Sequence, residues 1–260
     1  MNSLFNLQRF AMLFKKHTLE NFRYYIMYLV VLFGIMSLFF LFTSMSFNGR
    51  HISIPVETQF SMFTGLFLLG GTIFTSTVFS DLAGKKRAIF SLTLPVTYTE
   101  RFLIGWVYSA IVYPVMFAAC FYFVDWLFLF VINQWPGANF VNVFSAEKKF
   151  YLVFVIYAAL QAISLWGSVF FDKYQFIKTA FVFFVFVFVL NLFNKGLLSL
   201  LIRTKGSTGL PFSDLSLENF NYGRVALDAH VHNIYLVSVV ASITILFWLA
   251  ALLRVKEKEV

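Results

Sequence analysis

Polar side chains inside long apolar runs are the first place to look for chemistry, because hydrocarbon solvates them poorly. Asp125 lies in an apolar run of about thirty residues, roughly 45 Å of helix at 1.5 Å per residue. That exceeds a bilayer, so Asp125 is placed near the outer interface, and a solvated carboxylate is preferred there over a proton relay. Gln161 is more central, in LVFVIYAALQAISLWG, and Asn191 sits near the end of a later run. A hydrogen bond to a neighbouring helix and the wall of a transport route are the two readings open to Gln161 and Asn191. Gly65, Gly70 and Gly71, with Thr72, Thr75 and Ser76, give one run a small-residue surface. Close helix packing is its ordinary meaning, with a route lining by Thr72 and Thr75 as the alternative.

Nothing else has the spacing of a reactive site. His230 and His232 are two histidines with one residue between and no carboxylate or thiol completing a ligand set. Gly84-Lys85-Lys86 lacks the upstream glycine and the Ser/Thr of a phosphate-binding loop, and neither HExxH nor Gly-x-Ser-x-Gly occurs. The expectation is a chain that is no enzyme and binds no cofactor or metal. The single Cys120 excludes an internal disulfide.

These residues are held by a chain of 260 residues that is 60% hydrophobic and 12% charged, with 37 Phe. A soluble domain is about half apolar and a quarter charged, so lipid must be the solvent. A helix needs roughly 20 apolar residues to cross a hydrocarbon core of about 30 Å. Six runs qualify, near 24–45, 60–79, 102–131, 150–171, 176–193 and 234–253, all within one domain covering residues 1–260. The fold class is an all-α integral membrane protein with six transmembrane helices. The Phe/Val alternation at Phe181 to Val189 reads as a lipid-exposed helix, since a barrel strand would need one polar face.

The net charge of +8 belongs to residues flanking the spans, where it sets orientation and meets anionic lipids rather than nucleic acid. Thirteen Lys and Arg fall on the side of the termini and seven on the other. The richer side is cytoplasmic by the positive-inside rule, so both termini face the cytoplasm.

Three segments are neither span nor plain loop. Residues 1–23 contain an amphipathic stretch from Ser3 to Glu20, with Leu4, Leu7, Ala11 and Phe14 on one stripe and Arg9, Lys16 and Glu20 opposite. This predicts a helix lying in the cytoplasmic headgroup layer. Between spans two and three, Ala88, Ile89 and Leu92 recur at helical spacing behind Lys85, Lys86 and Arg87, and Pro95 ends that short helix. Thr97 with Glu100 then forms a capping box for the third span. After span five, Gly196 to Ile202 is apolar but too short to cross, and Ser213 to His232 could hold a second short helix; re-entrant or interfacial outer elements are expected there.

The stretch Phe79-Ser80-Asp81-Leu82, Arg87, Leu92-x-Leu94-Pro95-Val96-Thr97 and Glu100-Arg101 resembles the segment leading into the third span of ABC-2 type transporter permease subunits. The layout of interfacial helix, six spans, short cytoplasmic helix and structured outer segment is similar over nearly the whole chain. The resemblance implies an exporter whose substrate pathway forms between two permease copies, identical or different. It also implies a separate nucleotide-binding ATPase subunit that carries ATP and Mg. The helix after span two would be the coupling helix seated in the ATPase, with Asp81, Lys85, Lys86, Arg87, Ile89, Leu92 and Pro95 at the interface. A bacterial cytoplasmic (inner) membrane is the implied location. A secondary transporter and a non-transporting scaffold or immunity protein are the alternatives. No inverted repeat or central charge favours the first of these.

Overall fold

The computed structural model describes residues 6–46, 56–79, 96–131, 150–202 and 229–258. They form six helices: α1 (Leu7–Ser46), α2 (Val56–Val78), α3, α4 (Phe150–Phe170), α5 (Gln175–Ile202) and α6 (Ala229–Lys258). Helix α3 is built of an α-helical stretch Tyr98–Val107, a π turn Tyr108–Val112 and a second α-helical stretch Tyr113–Val131. All six are long and apolar enough to cross a membrane, and the described residues contain no strand. The Phe/Val run is helical, within α5.

Two helices differ from expectation at their ends. Helix α1 is unbroken over 40 residues, about 60 Å at 1.5 Å per residue and twice the hydrocarbon thickness. The N-terminal amphipathic segment is therefore the first turns of the spanning helix itself. The expected apolar stripe divides between the outside and the core. Leu7 (72% exposed) and Ala11 face outward, while Phe10, Leu13 and Phe14 pack on the core. Aromatic and polar partners on α3 select this face, not apolarity alone: Phe14 stacks on Tyr108 with ring centroids 5.0 Å apart. Helix α5 likewise continues through Gly196 to Ile202, so this apolar heptad prolongs span five rather than dipping separately. Of the expected outer segment, Ala229 to His232 opens α6 and residues 203–228 lie outside the described residues.

Asn6, just before α1, donates its backbone N–H to Glu100 Oε1 at 2.8 Å in the first turn of α3. Lys256, near the end of α6, holds its ammonium 5.7 Å from the centre of the neighbouring Tyr98 ring. Both ends of the helical chain thus meet on one face of the bundle, hereafter the termini face. Lys258 also reaches Asp172 in the α4–α5 turn there, at 3.2 Å.

The main core is a column of aromatic rings shared by α1 to α4. Phe63, Phe67, Phe74, Tyr113, Phe117, Phe121 and Tyr157 are all buried in it. A smaller cluster on the termini face joins Phe79, Phe102, Leu165, Val169, Ala251 and Val255, flanked by Trp106, Trp166 and Trp248. Half of the membrane window of α4 is buried, against 6% of that of α5. Helix α4 is thus central and α5 is a lipid-facing edge, with Phe181, Phe184, Phe186, Phe188 and Phe193 pointing away from the protein.

Candidate functional site

The described residues converge on α3, which carries three polar assemblies at different depths. The first is its capping turn. Thr97 Oγ1 accepts from the Glu100 backbone N–H at 3.4 Å and Glu100 Oε2 accepts from the Thr97 N–H at 3.0 Å, the reciprocal box expected from the spacing. The other carboxylate oxygen of Glu100 takes the Asn6 N–H and pairs with Arg9 at 3.3 Å. Glu100 is fully buried by this, while Arg9 stays 30% exposed. One carboxylate therefore caps α3 and ties down the start of α1. Two turns further along α1, Thr18 bonds the Tyr108 hydroxyl, and His17 Nε2 bonds Tyr25 at 2.9 Å with its ring edge against Tyr108.

The second assembly surrounds the π turn, where an extra residue leaves backbone carbonyls poorly aligned with the ladder. Ser109 Oγ donates to the Gly105 carbonyl at 2.8 Å, and the Tyr157 hydroxyl donates to the Ser109 carbonyl. Gln161 Nε2 donates to Ser109 Oγ at 2.7 Å, and Gln161 Oε1 accepts from Trp248 Nε1 at 2.8 Å. Gln161, 1% exposed, thus bridges α3, α4 and α6. Its side chain is hydrogen-bonded to two neighbouring helices.

The small-residue surface of α2 is a packing surface as well. A Cβ on Gly71 would overlap the rings of Tyr157 and Tyr113, and one on Gly70 would come 2.6 Å from the Tyr113 hydroxyl. That hydroxyl donates to the Phe67 carbonyl at 3.0 Å. Thr75 is fully buried. Thr72 turns its hydroxyl back to the Leu69 carbonyl, and Asn191 donates to the Val187 carbonyl within its own helix. Thr72 also lines an apolar cavity of about 220 Å³ between α2, α4 and α5, with Leu68, Leu160, Phe176 and Thr179.

The third assembly is Asp125 alone. It is 0% exposed, and neither carboxylate oxygen has a hydrogen-bond partner among the described residues. This corrects the solvated interfacial carboxylate expected from its distance along the helix. Phe121 and Phe128, one turn either side, pack against Phe40 of α1 and flank the carboxylate.

The expected ATPase-coupling residues Asp81, Lys85, Lys86, Arg87, Ile89, Leu92 and Pro95 lie outside the described residues. His230 and His232 fall at the start of α6. Among the described residues no His, Cys, Asp and Glu gather in a metal-holding group. Sequence reasoning missed Ser109, Tyr157 and Trp248, whose only signal is a hydroxyl or indole N–H in an apolar run, and the role of Glu100 toward α1. No protein-family model, no curated protein and no solved structure matches this chain.

Proposed function

We propose that this chain is the membrane-spanning permease subunit of an ATP-driven exporter of the ABC-2 type. Two permease copies form the substrate pathway, and a separate ATPase subunit supplies ATP and Mg chemistry. The observation that carries the reading is the capping turn of α3. It directly follows the Asp81 to Pro95 segment, and the starts of α1 and α3 and the end of α6 all meet there. A displacement of that segment by a partner would be delivered to three spanning helices at once. The two-Lys, one-Arg cluster followed by Ala88, Ile89 and Leu92 supplies a docking element, since an apolar row left in water costs roughly 25 cal/mol per Å².

The test is pull-down of the ATPase subunit by variants of the full chain in detergent, with the permease melting curve as control. Ile89→Asp and Leu92→Asp each put a charge in the docking row, and an unpaired buried carboxylate there costs several kcal/mol. Each is expected to lose the partner with the melting curve unchanged. Removing Lys85 and Lys86 acts mainly on association rate and costs less. Retention of the partner by both Asp variants, with transport-linked hydrolysis intact, overturns the assignment.

The proposal places the chain in a bacterial cytoplasmic membrane with the termini face inward. Single cysteines at Ser3 and Val260, in a Cys120→Ala background, are then shielded from impermeant maleimide in intact cells, and one at Gly206 labels. The reverse pattern turns the protein over.

A further inference from the structure

The aromatic column fixes where Asp125 sits. Phe63 of α2 meets Phe117 at 5.3 Å and Phe121 at 5.0 Å between ring centroids. These helices run antiparallel, so carrying the register one turn further sets Gln59 and Asp125 at the same level. Gln59 is itself only 3% exposed. From α1, Phe40 lies 6.4 Å from Phe121 and 5.1 Å from Phe128, which brackets Asp125 on its own stripe. Toward the termini face, Phe121, Phe117, Phe63 and Phe67 are all 1% exposed or less, so the column beyond Asp125 on that side is buried.

An ionised carboxylate in this surrounding has lost its hydration and gained no donor among the described residues. Anions so placed cost many kcal/mol, far more than an unbonded neutral acid at about 1–3 kcal/mol. The groups facing this level from the packed helices are Phe40 of α1 and Gln59 and Phe63 of α2, none of which titrates or carries charge. Helix α4 adds Val153 to the same cluster, and its nearby Tyr151 is half exposed. On α3 itself Cys120 and Tyr122 flank the stripe. No described cation is positioned to neutralise the group, and a proton needs no cavity.

We propose that Asp125 is a proton-binding site built into the α1–α2–α3 core, occupied by a proton while the core is closed. Release of that proton leaves an anion with no donor among the described residues, so it is linked to opening of the aromatic layer around Phe40, Phe121 and Phe128.

The experiment is infrared spectroscopy of the purified full chain in detergent across pH, comparing wild type with Asp125→Asn. A protonated-carboxyl C=O stretch that shifts in D₂O is expected at neutral pH in wild type and absent in the variant. Thermal midpoints give the second readout, with the sign fixed by linkage. A proton bound more tightly in the folded state stabilises at low pH and is lost as pH rises. Asp125→Asn keeps the shape without the charge, so its midpoint should pull ahead of wild type as pH increases. If Asp125→Asn does not accumulate, Asp125→Leu supplies the reference lacking the band. A neutral-pH wild-type spectrum without the band, or a midpoint gap that closes with rising pH, overturns the proposal.

Discussion

Gly71→Leu is expected to destabilise the folded chain by about 3 kcal/mol or more, toward the upper end of the cost of overpacking a tight interior. The first added carbon already overlaps the rings of Tyr157 and Tyr113, and neither ring can retreat freely. Tyr113 is anchored by its bond to the Phe67 carbonyl and Tyr157 by its bond to the Ser109 carbonyl. Displacing them would also leave buried hydroxyls unbonded, at about 1–3 kcal/mol each. The comparison is Gly65→Leu in the same helix, where an added Cβ meets nothing within 4 Å. That variant should match or exceed wild type, because glycine inside a helix is worth roughly 0.5–1 kcal/mol less than alanine. Thermal unfolding in detergent followed by size exclusion measures both. Equal midpoints for the two leucine variants would show that α2 does not pack on α3 and α4 through this surface.

The second large effect is local. Glu100→Ala removes the acceptor of the capping box, the bond from Asn6 and the partner of Arg9 in one change. Breaking a buried ion pair from one side costs about 3–5 kcal/mol, and the exposure of Arg9 brings the expectation down to about 2–3 kcal/mol. That loss falls on the first turns of α1, because Phe14, His17 and Thr18 still hold the helix to Tyr108. Tryptic cleavage at Arg9 tracks local opening when reclosing is fast, so it should accelerate roughly 30- to 100-fold, each 1.4 kcal/mol being tenfold. Arg9 itself is retained in this variant, so the cleavage site is unchanged. Thr97→Val, which loses only the cap, should cost about 1 kcal/mol and leave cleavage at Arg9 within a few-fold of wild type. Cleavage in Glu100→Ala no faster than in Thr97→Val would mean that Glu100 does not hold α1.

The spans were legible because crossing hydrocarbon demands a long apolar run whatever the neighbours do, and the Thr97–Glu100 box because its partners are three residues apart. Which way each span faces was not legible. In water an apolar side chain announces the inside, but in lipid the inside and the outside are equally apolar. Phe117 in the core and Phe188 at the edge therefore look alike in sequence. The face that α1 turns to the protein was not legible for a related reason, since Glu100 and Tyr108 choose it from about ninety residues away. Asp125 was placed by counting along its own helix, whereas its burial is set by Phe40 and the Phe63 register on two other helices. Gln161 could be named as a helix-bonding residue, but not its partners, 52 and 87 residues distant.

The π turn in α3 has a consequence for how this helix tolerates change in length. Before it, the buried positions step through Arg101, Gly105 and Tyr108; after it they step through Tyr113, Phe117, Phe121 and Phe128. An uninterrupted helix would carry the first series to position 112; the π turn takes up the extra residue and brings Tyr113 onto the face that Tyr108 occupies, so both belong to one core cluster. Were the extra residue not taken up in that turn, Tyr113, Phe117 and Phe121 would stand about 100° away from the Tyr108 face. Loss of a single residue between Tyr108 and Val112 would restore a regular helix with Tyr113 still on the Tyr108 face, whereas the same loss between Tyr113 and Phe117 would swing Phe117, Phe121 and Asp125 together by more than a quarter turn out of the core. The same loss in α5, which has almost no buried stripe to keep in step, would only slide phenylalanines along the lipid.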